Sequence, residues 1–227
     1  MSETTSNNPV NITRLILIPS LITLAITVLR LVGELQHWSE TLFNPEAGGG
    51  GSIIGITWLA PIFGIYFALK LSGAGEGPSS AGRAIGFSLL GIVVLFVGIT
   101  IAQLLVPTLG RVWAIIIIGI VGIVSVLVQR LAWPTLFKTL LAYGLAARIP
   151  VIVVMFVAIQ GNWGTHYDVP PPEFPEMGWF PKWMLIGLFP QLFFWVAFTI
   201  LTGSLFGSIA SALVHRRRRE AQAANAA

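Results

Sequence analysis

The chain has 227 residues, of which 55% are hydrophobic and only 10% are charged, and its formal net charge is +4. Soluble domains carry about 25% charged residues, so this composition excludes a soluble globular protein, and the apolar content excludes intrinsic disorder. The lack of cysteine excludes disulfide scaffolds, thiol nucleophiles, iron–sulfur clusters and cysteine-bound zinc. A multi-spanning membrane protein remains.

The chain contains six apolar stretches of about the length that a helix needs to cross a membrane, roughly 20 residues. They cover residues 12–33, 53–71, 84–106, 112–132, 136–160 and 183–213. Their continuous apolar character lacks the alternation of barrel strands. We therefore predict an all-α polytopic membrane protein, a compact bundle of about six transmembrane helices. The predicted divisions are a polar N-terminus (1–13), the transmembrane domain (14–215) and a basic tail (216–227).

Charged residues predict the orientation of the bundle. One set of connections carries Lys70, Arg83, Arg130, Lys138 and the run Arg216–Arg219, whereas most acidic residues fall in the other set. Because basic residues stay on the cytoplasmic side, we expect both termini in the cytoplasm, an N-in/C-in arrangement. The expected location is a bacterial cytoplasmic (inner) membrane, with the first apolar stretch retained as a helix rather than cleaved as a signal peptide.

Arg148 is the residue that most needs an explanation. It lies about ten residues into the fifth apolar stretch, which places it roughly 15 Å deep at 1.5 Å per residue. A charge at that depth is costly and should face the bundle interior with a partner. Pro150, two residues later, predicts a kink beside it. Arg148 is either a structural partner within the bundle or a contact for an anionic ligand.

Other polar residues in the spans are candidates for the same ligand site. Arg30 and Glu34 are four residues apart and are expected to pair on one helix face. This pair either sits at the interface or lines a vestibule that approaches Arg148. Gln103 and Gln191 are predicted to be buried amides, used for hydrogen bonds between helices or for ligand binding.

Small residues in the last stretch predict close helix packing. Gly203, Gly207 and Ser211 recur every four residues, a pattern that lets helix backbones approach closely. We expect this stripe to pack within the chain or, alternatively, against a second copy or another membrane subunit. The basic run Arg216–Arg219 favours contact with membrane lipids rather than nucleic acid, because nothing folded surrounds it.

A weak metal-site pattern occurs in two connections on the same predicted side. Glu34 and His37 have the E-x-x-H spacing that places carboxylate and imidazole on one helical face. His166 and Asp168 lie in the connection before the last span. Together these four residues are candidates for a divalent metal at the outer face, and the alternative is that they are solvated loop residues.

The same two connections have unusual backbones. The run Gly48–Ser52 is either a flexible or tight turn or a nest of backbone N–H groups for an anion. The prolines Pro170–Pro172, followed by Pro175 and Pro181, predict a rigid cap over the bundle.

Three classes of function remain from the sequence. The first is a small-molecule or lipid binding or transport protein with an intramembrane arginine site. The second is a non-enzymatic structural or accessory subunit of a larger membrane complex. The third is a metal-dependent membrane enzyme with an outward-facing site. A polar cavity that reaches Arg148 would favour the first class, and a dry bundle would favour the second.

Overall fold

The computed structural model describes residues 9–50, 52–172 and 174–226, and all regular secondary structure in these ranges is helical. The first helices are α1 (Ile12–Leu35), α2 (Leu59–Gly73), α3 (Ala81–Leu109), α4 (Arg111–Ala132) and α5 (Pro134–Gly161). A 3₁₀ turn, Ala47–Gly49, lies between α1 and α2. The predicted all-α fold is confirmed for these residues.

The last apolar stretch forms one continuous helical run with a widened central part. Its parts are α6 (Trp179–Lys182), the π-helical segments π1 (Trp183–Leu188) and π2 (Pro190–Trp195), and α7 (Val196–Ala226). Pro190 begins π2, where its missing N–H removes one helical hydrogen bond. The run extends well past the predicted stretch 183–213, as expected for a segment longer than one crossing. Turns of π-helix are rare and are frequently found at functional sites.

Five helices of the described residues are long and apolar enough to span a membrane: Ile12–Leu35, Ala81–Leu109, Val112–Ala132, Pro134–Gly161 and Trp179–Asn225. The predicted second span, 53–71, is corrected: its helix is Leu59–Gly73, and residues 53–58 form turns. Fifteen residues at about 1.5 Å per residue reach about 22 Å, less than the ~30 Å hydrocarbon core.

The helices alternate between two ends of the bundle. We call the described parts of residues 36–58 and 162–178 the cap end, and the opposite end, at the start of α1, the tail end. At the tail end the Val10 N–H donates to Glu76 Oε1 over 2.6 Å, and Trp133 Nε1 donates to the Glu76 carbonyl over 2.7 Å. Only Gly110, at φ 84°, separates α3 from α4. The left-handed backbone there favours glycine and makes this turn possible.

Helix α5 is the centre of the bundle, with α1, α2, α4 and α7 packed around it. Tyr143 on α5 is 2% exposed, and the rings of Phe63 and Phe67 from α2 meet it edge-on, each at 5.4 Å between centroids. Pro150 lies inside α5, which continues as a helix through it to Gly161. The central position of α5 buries Arg148 away from the lipid-facing surface.

The small-residue stripe of α7 packs against α2 of the same chain. A Cβ atom on Gly64 would collide with Cα of Gly203, and one on Gly207 would lie 2.6 Å from the Gly64 carbonyl oxygen. One turn further along, the hydroxyls of Ser72 and Ser211 share a hydrogen bond of 2.7 Å. Gly203, Gly207 and Ser211 therefore pack within the chain against α2, the first of the two arrangements expected from the sequence.

Candidate anion site between α1, α5 and the π-helical segments

Arg148 lies about halfway along α5 and is only 4% exposed. Its NH1 group donates to Gln191 Oε1 over 3.3 Å, and the guanidinium carbon lies 4.8 Å from the ring centroid of Trp195. Pro190 and the π-helical geometry of π2 place Gln191 and Trp195 on the face that meets α5. The predicted burial of Arg148 is observed, and Gln191 is the amide that contacts it.

The positive charge of Arg148 has no acidic partner among the described residues. Among residues 9–50, 52–172 and 174–226, no carboxylate forms an ion pair with this guanidinium, and its Nε has no hydrogen-bond partner. The bond to Gln191 is longer than the 2.7–2.9 Å of a good charge-assisted hydrogen bond. Buried polar groups are nearly always paired, so an unpaired Nε on a buried cation is an unusual feature that calls for a cause.

Arg148 lines a cavity of about 270 Å³. The walls are α1, α5 and the π-helical segments, and the roof is formed by the cap end. Eight of the lining residues carry polar side-chain groups: Thr27, Arg30, Thr57, Arg148, His166, Tyr167, Gln191 and Trp195. The remainder of the lining is mostly apolar. The cavity therefore has a polar part that contains two arginines.

A buried charge cluster lies beside this cavity at the cap end. Arg30 Nε donates to Glu34 Oε1 over 2.8 Å, so the predicted i, i+4 pair forms. Glu34 Oε1 also lies 2.5 Å from His166 Nδ1, and Glu34 Oε2 accepts the His166 backbone N–H over 2.9 Å. The Glu34 side chain is fully buried. The Glu34 carboxylate thus pairs with Arg30 and with the loop of His166. It is not a counterion of Arg148.

The protonation of His166 follows from its surroundings. Burial lowers the pKa of His166 from its usual value near 6.5, and the hydrogen bond to Glu34 opposes this effect. A neutral imidazole next to a carboxylate, which only accepts hydrogen bonds, must carry its proton on Nδ1. With His166 neutral, Arg30 and Glu34 cancel each other, and among the described residues that line the cavity the charge of Arg148 is left uncompensated.

The glycine run gives Arg30 its remaining partners. Arg30 NH2 donates to the Gly49 carbonyl over 3.0 Å and to the Asn44 carbonyl over 3.3 Å. Gly49 has φ 64°, and a Cβ atom there would lie 2.5 Å from Arg30 NH2 and 2.8 Å from His166 Cδ2. Only glycine fits this close approach. A tight turn is observed at Ala47–Gly49, at the start of the run Gly48–Ser52, and the Gly49 carbonyl is the group that contacts Arg30; Gly51 lies outside the described residues.

The loop that carries His166 is held by local and long-range bonds. Asp168 accepts hydrogen bonds from the Gly164 N–H over 3.0 Å and from the Thr165 N–H over 2.7 Å. Burial raises the pKa of the Tyr167 phenol, so it stays neutral and donates to the Thr27 carbonyl over 3.3 Å. These bonds join the cap end to α1 and fix the roof of the cavity.

Some predicted site residues lie elsewhere. The side chain of Gln103 on α3 is exposed rather than buried, and the buried amide between α3 and α4 is Gln129, which bonds Ser88 at 3.0 Å. His37 is exposed at the end of α1, with φ 50°. Within the described part of the chain, no three His, Asp or Glu side chains meet to hold a metal ion. The predicted metal quartet of Glu34, His37, His166 and Asp168 therefore reduces to one contact, Glu34–His166.

Sequence reasoning missed several members of the site. Trp195 follows Gln191 by four positions, and this spacing on one helix face was a usable signal for a ring beside the amide. Thr27 and Tyr167 had no such signal, because their approach depends on how the cap folds over α1. Comparisons with protein-family models, with curated proteins and with solved structures find no match for this chain.

Proposed function

We propose that this protein binds or transports a small anionic or lipid-like ligand within the membrane. The observation that carries the proposal is Arg148: a buried cation with no acidic partner in the described part of the chain, with an unpaired Nε, on the wall of a cavity. An oxyanion in the cavity would supply the missing negative charge and accept a hydrogen bond from the unused Nε–H of Arg148. Gln191, Thr27 and Tyr167 surround the same space with further polar groups.

The cavity also bears on the two other classes of function. A dry bundle was the expectation for an accessory subunit, and a polar cavity next to an uncompensated arginine supports the binding role instead. The metal-dependent enzyme needed convergent histidine and carboxylate ligands, and the described residues hold no such group. Ligand binding is therefore the function that the geometry supports best.

We further propose six crossings with both termini in the cytoplasm of a bacterial inner membrane. Five helices are long enough to span by themselves, and α2, although shorter than the hydrocarbon core, is the proposed sixth crossing, since a bilayer can thin around a short span. The basic residues Arg216–Arg219 then lie inside and the cap end lies outside. Reporter fusions after Ala226 and within the cap end test this orientation, and an external signal from the C-terminal fusion would overturn it.

The experiment for the binding site compares two substitutions that each remove one positive charge from an arginine. The purified protein in dodecyl maltoside is titrated with dodecyl phosphate, and the shift of its thermal unfolding midpoint is measured. Arg148→Leu should weaken binding at least about tenfold, equivalent to about 1.4 kcal/mol. Arg130→Leu is the matched control, because it removes an exposed arginine of α4, and it should bind as the wild type does.

Two further measurements keep the test decisive. If Arg148→Leu fails to fold, Gln191→Glu takes its place, because a carboxylate 3.3 Å from the guanidinium would compete with the ligand. In the wild type, uncharged decanol should give no saturable shift. Equal binding of dodecyl phosphate by the wild type and by the folded variants would rule out Arg148 as the anion site.

A further inference from the structure

We propose that the ligand is an amphiphile with an acidic head group, and that its alkyl chain leaves the cavity past Pro190 and lies in an apolar groove between π2, α3 and α4. This inference rests on the proposed function and adds the ligand class to it. The head group would be a phosphate or carboxylate bound at Arg148. The chain would occupy a second, separate concavity of the bundle.

The size and lining of the cavity favour an amphiphile over a small hydrophilic anion. Its polar groups include those of Arg30 and Arg148, whereas other parts of its lining are apolar, with Met155, Leu185 and Ile186. A volume of about 270 Å³ is at the lower limit of ligand pockets and is enough for a head group with a short part of a chain. A longer chain must therefore extend beyond the cavity.

The groove that would take the chain is fully apolar in its lining. It has a volume of about 220 Å³ and lies between Ile99 of α3, Gly119 of α4 and Phe193 of π2. Gly119 keeps the groove open, since a Cβ atom there would lie 3.7 Å from Phe193 Cγ and any larger side chain would extend into the space. Such a surface accepts a hydrocarbon chain and offers nothing to a charged group.

Pro190 joins the two concavities, because it lines both the cavity and the groove. Ile186, Pro190 and Phe194 are spaced four residues apart and so follow one face of the helical run. Ile186 lines the cavity and Phe194 lines the groove. A chain attached to a head group at Arg148 thus has a continuous apolar path along this face.

The test is photolabelling with an alkyl phosphate that carries a diazirine near the end of a dodecyl chain. The protein is labelled in phosphatidylcholine nanodiscs, and the modified residues are mapped by mass spectrometry. We expect the label on the groove residues of α4 and π2, with at least about tenfold less label in excess unlabelled dodecyl phosphate. Gly119→Leu should remove the label from the groove, whereas Gly86→Leu, which meets open space on α3, should not.

The outcomes separate this inference from the function on which it rests. Dodecyl phosphate that stabilises the wild type but not Gln191→Glu, combined with label spread evenly over the lipid-facing helices, would overturn the amphiphile path and leave the anion site intact. Label in the groove that persists in Gln191→Glu would show that the alkyl chain adsorbs without binding of the head group. This result would count against both the amphiphile path and the proposed anion site. A folded Gly119→Leu variant that keeps the groove label would also overturn the path.

Discussion

Arg148 NH1 donates to Gln191 Oε1 over 3.3 Å, so the buried cation of α5 is held by a neutral amide rather than by a carboxylate. The face of the Trp195 ring, 4.8 Å away, adds a cation–π contact of about 0.5–2 kcal/mol. Neither contact neutralises the charge. The site therefore keeps its electrostatic attraction for an anion, which an internal ion pair would remove.

Gln191→Glu tests this relationship directly. The new carboxylate would pair with Arg148 and would repel an anionic ligand, so the affinity for dodecyl phosphate should fall at least about tenfold. Thermal unfolding with increasing dodecyl phosphate measures the change. Gln160→Glu is the matched control, because Gln160 is exposed at the cap end of α5 and its substitution adds the same charge. A Gln191→Glu variant that retains the wild-type shift would contradict the role given to Arg148.

Glu34→Gln should destabilise the cap strongly. The Glu34 side chain is fully buried and that of Arg30 is 11% exposed, so loss of the carboxylate leaves a nearly buried cation unpaired. Breaking a buried pair in this way costs about 3–5 kcal/mol. Glu220→Gln is a matched control: Glu220 forms the same i, i+4 pair with Arg216 at 2.7 Å, but with side chains 60% and 78% exposed. Its loss should cost about 0–1 kcal/mol.

Unfolding free energies of the two variants, measured by denaturant titration in mixed micelles, give the comparison. Equal and small losses for Glu34→Gln and Glu220→Gln would show that the Arg30–Glu34–His166 cluster does not hold the cap to α1.

The stability of the protein should fall as the pH is lowered below about 6.5. Burial lowers the pKa of His166 in the folded state, so between that lowered value and 6.5 the unfolded chain binds more protons than the folded one. Stability then rises with pH across this window, by at most about 1.4 kcal/mol per pH unit, and levels off above it. Glu34 and Asp168 face the ring as anions and Arg30 as a cation.

His166→Asn isolates this effect, since the asparagine amide can still donate to Glu34 but does not titrate. Unfolding midpoints between pH 5 and 8 should show a smaller slope in His166→Asn than in the wild type. His37→Asn, at an exposed position, should keep the wild-type slope. An unchanged slope in His166→Asn would assign the pH dependence to another group.

The sequence predicts best the positions of residues whose burial is required by the energetic cost of placing a charge in the membrane. A charge halfway along an apolar helix has to be buried, so Arg148 could be placed without knowledge of its neighbours. The Arg30–Glu34 pair follows from helix geometry in the same way. In contrast, Gln103 and Gln129 are both amides in long apolar helices, and only helix rotation makes the first exposed and the second buried.

The second predicted span shows why an apolar count alone misplaces a helix. Residues 53–58 are apolar enough for a span, yet they form turns at the cap end. The Ile53 and Ile54 N–H groups donate to the Thr41 and Leu42 carbonyls, which keeps this segment beside the cap. Long-range backbone pairing of this kind leaves no periodic signal in a sequence, so the roof of the cavity could not be predicted.

Close contact between α2 and α7 gives the last prediction. A methyl group on Gly64 would collide with the backbone of Gly203, and two helix backbones cannot move aside as a flexible side chain does. Gly64→Ala should therefore destabilise the protein by about 1–3 kcal/mol, the usual cost of overpacking. Gly73→Ala on the same helix meets nothing within 4 Å and should have an effect of less than about 1 kcal/mol. Thermal unfolding of the two variants in one detergent makes the comparison, and a Gly64→Ala variant as stable as Gly73→Ala would contradict the observed packing of α2 on α7.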